Sequence, residues 1–300
     1  MSRFLQQLRE KAEREATEGT RVDFTLPSVL SIAGSDSSGG AGIQADIKTI
    51  QALGLFAQTA ITAITAQNTR GVRAVQNVDV EVVQAQIDAV FEDIRPDAVK
   101  VGMVSSPEIV GAIACALKRN GARNVVVDPV LVATSGSALA SDGVVASLKS
   151  ELFPLATIVT PNLVEAEALS GVAIATAADA EAAARVIARD CLGAVLIKGG
   201  HGLCGPERPA SEQDKAADDL LLMPTGEVIW FYGDRIDNPN THGTGCTLSS
   251  AIASRLAIGH DIAQCVGAAK AYLTGALQAQ LNLGAGSGPL DHFWNMRNNR

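Results

Sequence analysis

From Ser28 onward, short apolar runs alternate with stretches whose apolar residues recur at helical spacing. Ser28 to Ala33 predicts a buried strand, followed by a Gly-rich loop from Gly34 to Gly40. Ala41 to Leu53 carries Ile43, Ile47, Ile50 and Leu53 along one face and predicts a helix. Phe56 to Thr65 alternates like a half-buried strand, and Val80 to Phe91 returns to helical spacing. Strand Ala98 to Val101, helix Pro107 to Lys118 and strand Asn124 to Val127 continue the rhythm. Ile158-Val159 and Ala194 to Ile197 supply two more apolar strands, with helices near Glu165 and from Thr176 to Arg189 between them. Leu220 to Met223 and Val228 to Phe231 predict a hairpin across Pro224-Thr-Gly226, and Cys246 to Ile258 and Asp261 to Leu281 a closing pair of helices. Strands alternating with helices imply an α/β fold, with a mainly parallel central sheet covered on both faces.

No internal repeat or composition break divides residues 28–300, so a single domain is expected there. Residues 1–27 stand apart. Their charged first part, with Phe4, Leu5, Leu8 and Ala12 on one face, predicts an appended helix or tail. The segment from Gly202 to Asp219, with two Pro and several charges, reads as an exposed loop.

Composition narrows the chemistry. Hydrophobic residues make up 47% of the chain and aromatics only 4%, so the core is aliphatic. A net charge of -8 argues against a nucleic-acid surface, which wants a basic stripe. No apolar run reaches the roughly 18 residues of a membrane span, and no leader-like segment opens the chain. Five scattered Cys without a CxxC pair fit free thiols in a reducing cytoplasm and no zinc site.

In a doubly wound sheet, ligands bind at the carboxyl ends of the strands. Polar and Gly residues gather after the strands here, at Gly34 to Gly40, Gln67-Asn68, Gly102-Met103, Asp128-Pro129, Pro161-Asn162 and Lys198-Gly-Gly200. Gly40-Ala-Gly42-Ile-Gln-Ala45 matches a dinucleotide fingerprint, but no charge follows between Lys48 and Arg70 where a ribose-binding acid belongs. A Walker loop is excluded because Gly-Lys never occurs.

The turn Gly243-Thr244-Gly245-Cys246 opens a helix of small residues. Free N–H groups and the positive end of the helix dipole make such a turn an anion hole. Cys246 sits where that dipole lowers a thiol pKa, suiting it to act as a base; the plainer reading is a packed thiol. A phosphoryl-transfer site also needs a cation and a magnesium side. Lys198 offers the cation, or a snorkelling surface lysine. Asn162 and Asp128 belong beside the phosphates, and Glu165 beside a hydrated Mg2+. Asn162 with Glu165 also fits a helix capping box, and Asp128 a simple cap.

Several stretches then appear together and in order: Ser31 to Asp46, Ala66 to Gly71, Val101-Gly-Met103, Thr160 to Glu165, Leu196 to His201 and Asn240 to Leu248. This chain resembles the hydroxymethylpyrimidine/phosphomethylpyrimidine kinases of thiamine biosynthesis, in the ribokinase-like superfamily. The resemblance runs from Val29 to the tail Gly288 to Phe293. It implies a ribokinase-like sheet, ATP as co-substrate and phosphorylation of 4-amino-5-hydroxymethyl-2-methylpyrimidine and then of its monophosphate. It also implies that Gln67 recognises the aminopyrimidine, and that Gly34, Asp46 and Met103 complete the pocket, Asp46 on the exocyclic amine. A cytoplasmic homodimer is expected, without membrane or nucleic-acid partners. Pyridoxal kinase is the rival within the superfamily, and a catalytically silent vitamin-binding protein the rival outside enzymes.

Overall fold

The computed structural model describes residues 25–131, 141, 143–200 and 202–297. The expected N-terminal helix therefore lies outside the described residues, apart from 25–27. Nine strands form one sheet in the order β3-β2-β1-β4-β5-β6-β7-β8-β9. Its parallel centre consists of β2 (Phe56–Asn68), β1 (Ser28–Asp36), β4 (Ala98–Val101), β5 (Val125–Val127), β6 (Ile158–Val159) and β7 (Ala194–Ile197). Antiparallel strands extend both edges: β3 (Gly71–Asn77) beside β2, and the hairpin β8 (Asp219–Leu222) and β9 (Val228–Phe231) beside β7.

The central strands are continuous apolar runs because both their faces are covered. On one face lie α1 (Gly42–Ala52), α7 (Thr244–Ala257) and α8 (Ile262–Gln278), packing Ile50, Ile252 and Val266 against Val29, Val126 and Leu196. On the other lie α2 (Val80–Glu92), α3 (Pro107–Arg119), the short α4 (Val144–Ser147), α5 (Leu163–Ser170) and α6 (Ala177–Ile187), with Ile87, Ile113 and Ile187 in the larger apolar cluster. A single turn, α9 (Trp294–Arg297), closes the described chain against α8. Among the described residues, no helix is long and apolar enough to cross a membrane.

Two departures from the expected elements matter for the site. β1 runs past Ala33 to Asp36, because Ser35 and Asp36 pair with Ile64 and Thr65 of an equally lengthened β2. β3 is an unexpected strand. It turns back on β2 with no buried residue, so no apolar alternation marks it.

The strand order reverses between β1 and β4, which both neighbour each other and lead to opposite sides of the sheet. That switch point is where an open α/β sheet leaves a crevice beyond its strand ends. The end of β1 with the loop after it, Gly34 to Gly40, and Gly102-Met103 after β4 form its two lips.

Candidate active site

Asp36, the last residue of β1, turns its carboxylate back into the loop that follows. It accepts hydrogen bonds from the backbone N–H groups of Ser38, Gly40 and Ala41 at 2.8, 3.1 and 2.9 Å, and from the Ser38 hydroxyl. His242 Nε2 reaches the same carboxylate at 2.8 Å. Burial alone raises a carboxyl pKa, but His242 and the loop donors outweigh it and hold Asp36 at about 2. Gln67, at the end of β2, is clamped through its backbone to Ser37, and its side chain lies 3.2 Å from His242 Nε2.

The Gly243 turn docks against this loop. Gly243 has φ +87° and caps α7, and a side chain there would run into the Gly40 carbonyl. Gly42 has φ +56° and lies as tightly on the Gly34 carbonyl. Both positions demand glycine on conformation and on space. The first turn of α7 thereby lines a cavity of about 760 Å³, within the range of roughly 300–1,000 Å³ common for small-molecule sites. Of the residues selected from the sequence, Gln67, Gly34 and Met103 line one end, and Gly243, Thr244, Gly245 and Cys246 the middle. Lys198, Asn162, Asp128 and Glu165 line the next wall. Only Asp46 does not line it.

The sequence expectation for Asp46 is corrected here. Asp46 is fully buried, accepts from Lys100 at 2.8 Å, and also receives the Ser31 and Ser250 hydroxyls. Lys100 is itself fully buried, and although burial lowers an amine pKa, the Asp46 carboxylate keeps it charged. This pair ties β1, β4, α1 and α7 together beneath the cavity. Asp46 holds the scaffold and does not line the cavity.

Cys246 is in place, but its acidity is not what the helix terminus suggests. Burial pushes its thiol up to about 11, against the favourable pull of Lys100 and the Gly42 N–H. The resting residue is therefore a thiol.

Lys198 donates to Asp128 at 2.7 Å, and a side chain at Gly245 would point at both. Burial lowers an amine, but Asp128 and Glu165 outweigh it and raise Lys198, so the cation is permanent. Asp128 is buried, yet Lys198 and Lys100 hold its carboxyl below the ordinary range. Asn162 and Glu165 do form the capping box of α5: the Asn162 side chain accepts from Glu165 N–H at 2.9 Å, and Glu165 accepts from Asn162 N–H at 2.8 Å. Glu165 is only 4% exposed, and burial raises its carboxyl to about 7 although Lys198 opposes this. Capping and a place on the cavity wall are therefore both properties of these residues.

Among the described residues, no group of three His, Cys, Asp or Glu side chains is placed to hold a metal ion. Two carboxylates, Asp128 and Glu165, nonetheless share a wall with the anion hole. That donor set fits Mg2+, which keeps most of its water and phosphate ligands and needs few from protein.

Sequence reasoning missed two parts of the site. Asp36 and His242 lie 206 residues apart, so nothing local announces their pairing, although both stand inside motifs it quoted. The far end of the cavity is formed by the segment from Gly233 to Asn238 with Leu273 and Leu277 of α8, and Lys270 there bonds Asp219. Ile236, Leu273 and Leu277 give it apolar surface among charged and polar side chains.

Known proteins now decide the class. The profile of the family described as phosphomethylpyrimidine kinase matches residues 36–291. The chain belongs to the phosphomethylpyrimidine kinase family. Among relatives of this kinase, the hydroxymethylpyrimidine/phosphomethylpyrimidine kinase of Rhizobium meliloti is 54% identical over 267 residues, covering 88% of this chain and 96% of that protein. The solved phosphomethylpyrimidine kinase of Clostridium difficile is 44% identical with a TM-score of 0.70, over 83% of this chain and 98% of that one. The Bacillus subtilis pyridoxal kinase, solved as an ADP complex, overlaps more fully, with a TM-score of 0.81 over 91% and 100%, but is only 34% identical. The α/β kinase fold is thus common to both vitamin kinases, and sequence identity separates them. This member of the phosphomethylpyrimidine kinase family is a phosphotransferase.

Proposed function

We propose that this enzyme uses ATP to phosphorylate the hydroxymethyl group of 4-amino-5-hydroxymethyl-2-methylpyrimidine, and then the monophosphate so formed, in thiamine biosynthesis. One observation carries the reading. A single cavity is lined both by the Gln67 carboxamide with Met103 and Gly34 and by the Gly243 turn with Lys198. The carboxamide offers a donor and an acceptor side by side, which matches the ring nitrogen and amine of an aminopyrimidine. Met103, its carbonyl held by the Thr62 hydroxyl at 2.8 Å, presents a polarizable surface to the ring.

The chemistry follows from position. The N–H groups of the Gly243 turn hold the transferring phosphoryl group, and Lys198 balances its charge while Asp128 fixes where the ammonium stands. Mg2+, with Glu165 and Asp128 on its side, neutralises phosphate charge when bound. Cys246 lies between pocket and anion hole and takes the hydroxymethyl proton through its minor thiolate form, a strong base because its pKa is high. Ile236, Leu273 and Leu277 at the far end offer apolar surface that suits the adenine. The pyridoxal kinase overlap favours pyridoxal as the one serious alternative substrate.

Incubation with ATP, Mg2+ and the pyrimidine alcohol, followed by phosphorus NMR, is expected to show the monophosphate first and the diphosphate later. ATP hydrolysis without either product would overturn the proposal.

A further inference from the structure

The Gln67 carboxamide is gripped at both ends, and the grips decide which end is oxygen. As placed, its nitrogen lies 3.2 Å from His242 Nε2 and its oxygen 3.2 Å from the Thr65 hydroxyl, but the two ends of an amide are alike in shape and only their partners assign them. Asp36 lies 2.8 Å from His242 Nε2, and the same carboxylate oxygen receives two loop N–H groups, so it stands there as an acceptor with no hydrogen to give. The nitrogen facing it must carry a hydrogen, whether the ring is neutral or charged. An amide NH2 turned toward that N–H would set donor against donor; an amide oxygen there shares its hydrogen with Asp36 in a bifurcated bond.

The opposite end gives the same answer independently. The Thr65 hydroxyl has one hydrogen, and the Ser35 carbonyl takes it at 3.0 Å. Thr65 Oγ1 can then only accept from Gln67, so the amide nitrogen belongs at that end. Ser37 fixes the backbone of the same residue through a pair of 2.8 Å bonds.

We infer that Asp36 and His242 are positioning residues that lock the Gln67 carboxamide with its oxygen toward His242, and that this lock sets the donor and acceptor order shown to the substrate ring. The inference rests on the reading of Gln67 as the ring-recognising residue. With those two bonds made, the amide keeps one lone pair and one N–H for the cavity it lines. A freely rotating amide accepts either order of donor and acceptor on a ring. A locked one accepts only the aminopyrimidine order and leaves polar groups unpaired against the reverse.

The 4-oxo analogue, 5-hydroxymethyl-2-methylpyrimidin-4-one, carries the reverse order, an N–H beside a carbonyl. The test compares kcat/KM for the 4-amino and 4-oxo substrates in wild type and His242→Ala. The 4-amino over 4-oxo ratio is expected to fall by about tenfold or more in the variant, because the released amide rotates to suit the analogue. A ratio unchanged while both rates drop together would mean that His242 is merely structural and would overturn the lock. Nitrogen-15 NMR of the wild-type imidazole provides a second measurement that needs no variant. Nε2 of His242 is expected to be protonated; a bare, pyridine-like Nε2 overturns the lock directly. Failure of the underlying reading looks different: wild type would then ignore the aminopyrimidine, while the tautomer would still report on the lock.

Discussion

Lys198 and Asp128, 70 residues apart and at the ends of neighbouring parts of the sheet, form a 2.7 Å ion pair opposite Gly245. Both line the cavity, but the lysine is 13% exposed and the aspartate 1%, so the more exposed charge of the pair is positive. Asp128 also accepts from Thr160 and Ser249, which leaves it little freedom. A tethered ammonium beside a backbone anion hole is an arrangement for phosphate. Lys198→Ala is therefore expected to raise KM for ATP by roughly 10- to 100-fold, the loss of about 1.5–3 kcal/mol from a charged hydrogen bond. Calorimetric affinity for the pyrimidine should stay unchanged, and a fall in both affinities together would argue against this assignment.

Glu165 is expected to make magnesium use depend on pH. Its carboxyl is raised to about 7 and is neutral below that value, so only above it does it attract a cation. The Mg2+ concentration giving half-maximal rate should fall as pH rises through about 7. Glu165→Gln keeps an acceptor for the capping box, so the fold should survive while this pH dependence disappears.

Asp46→Ala tests the corrected role of that residue. Removing one partner of a buried ion pair strands the other, and about 3–5 kcal/mol of stability is expected to be lost. Denaturant titration measures it. Folded variant at low temperature should keep its preference between pyrimidine substrates; a changed preference with full stability would return Asp46 to the pocket.

Much of this architecture was legible in the chain. Ala98–Val101, Ile158–Val159, Ala194–Ile197 and Val228–Phe231 stand where their apolar runs place them, since buried strands cannot hide their composition. β3 was invisible because nothing on it is buried, and the end of β1 because loop-like residues there pair with β2. Within the site, residues following strands were found, and those defined by long-range pairing were not. A charge in the middle of α1 reads as a surface group until Lys100 is seen beneath it. Helix-terminal position predicted an acidic thiol at Cys246, whereas burial, which the sequence does not display, dominates.

The Cys246 pKa gives the proton-transfer step a signature. If the minor thiolate is the base, log kcat should climb with unit slope above neutrality until pH approaches about 11. Cys246→Ala should lower turnover by roughly 100- to 10,000-fold and abolish that climb. Cys246→Asp should recover part of the rate with a flat profile, because its carboxylate is already ionised. A wild-type profile flat from neutrality upward would leave Cys246 as packing.

Gln67→Leu should leave the polar edge of the ring unpaired and weaken pyrimidine binding by about 1–3 kcal/mol, read by calorimetry. Unaltered affinity would remove Gln67 from recognition.

The central claim is that one cavity transfers phosphate from ATP to an aminopyrimidine. It is tested most directly by kcat/KM for ATP consumption with the pyrimidine alcohol, its monophosphate and pyridoxal, measured side by side on the wild-type enzyme. Turnover of both pyrimidines, each well above pyridoxal, is the expected result. Pyridoxal turned over faster than either pyrimidine, or no pyrimidine-dependent ATP consumption at all, would contradict it.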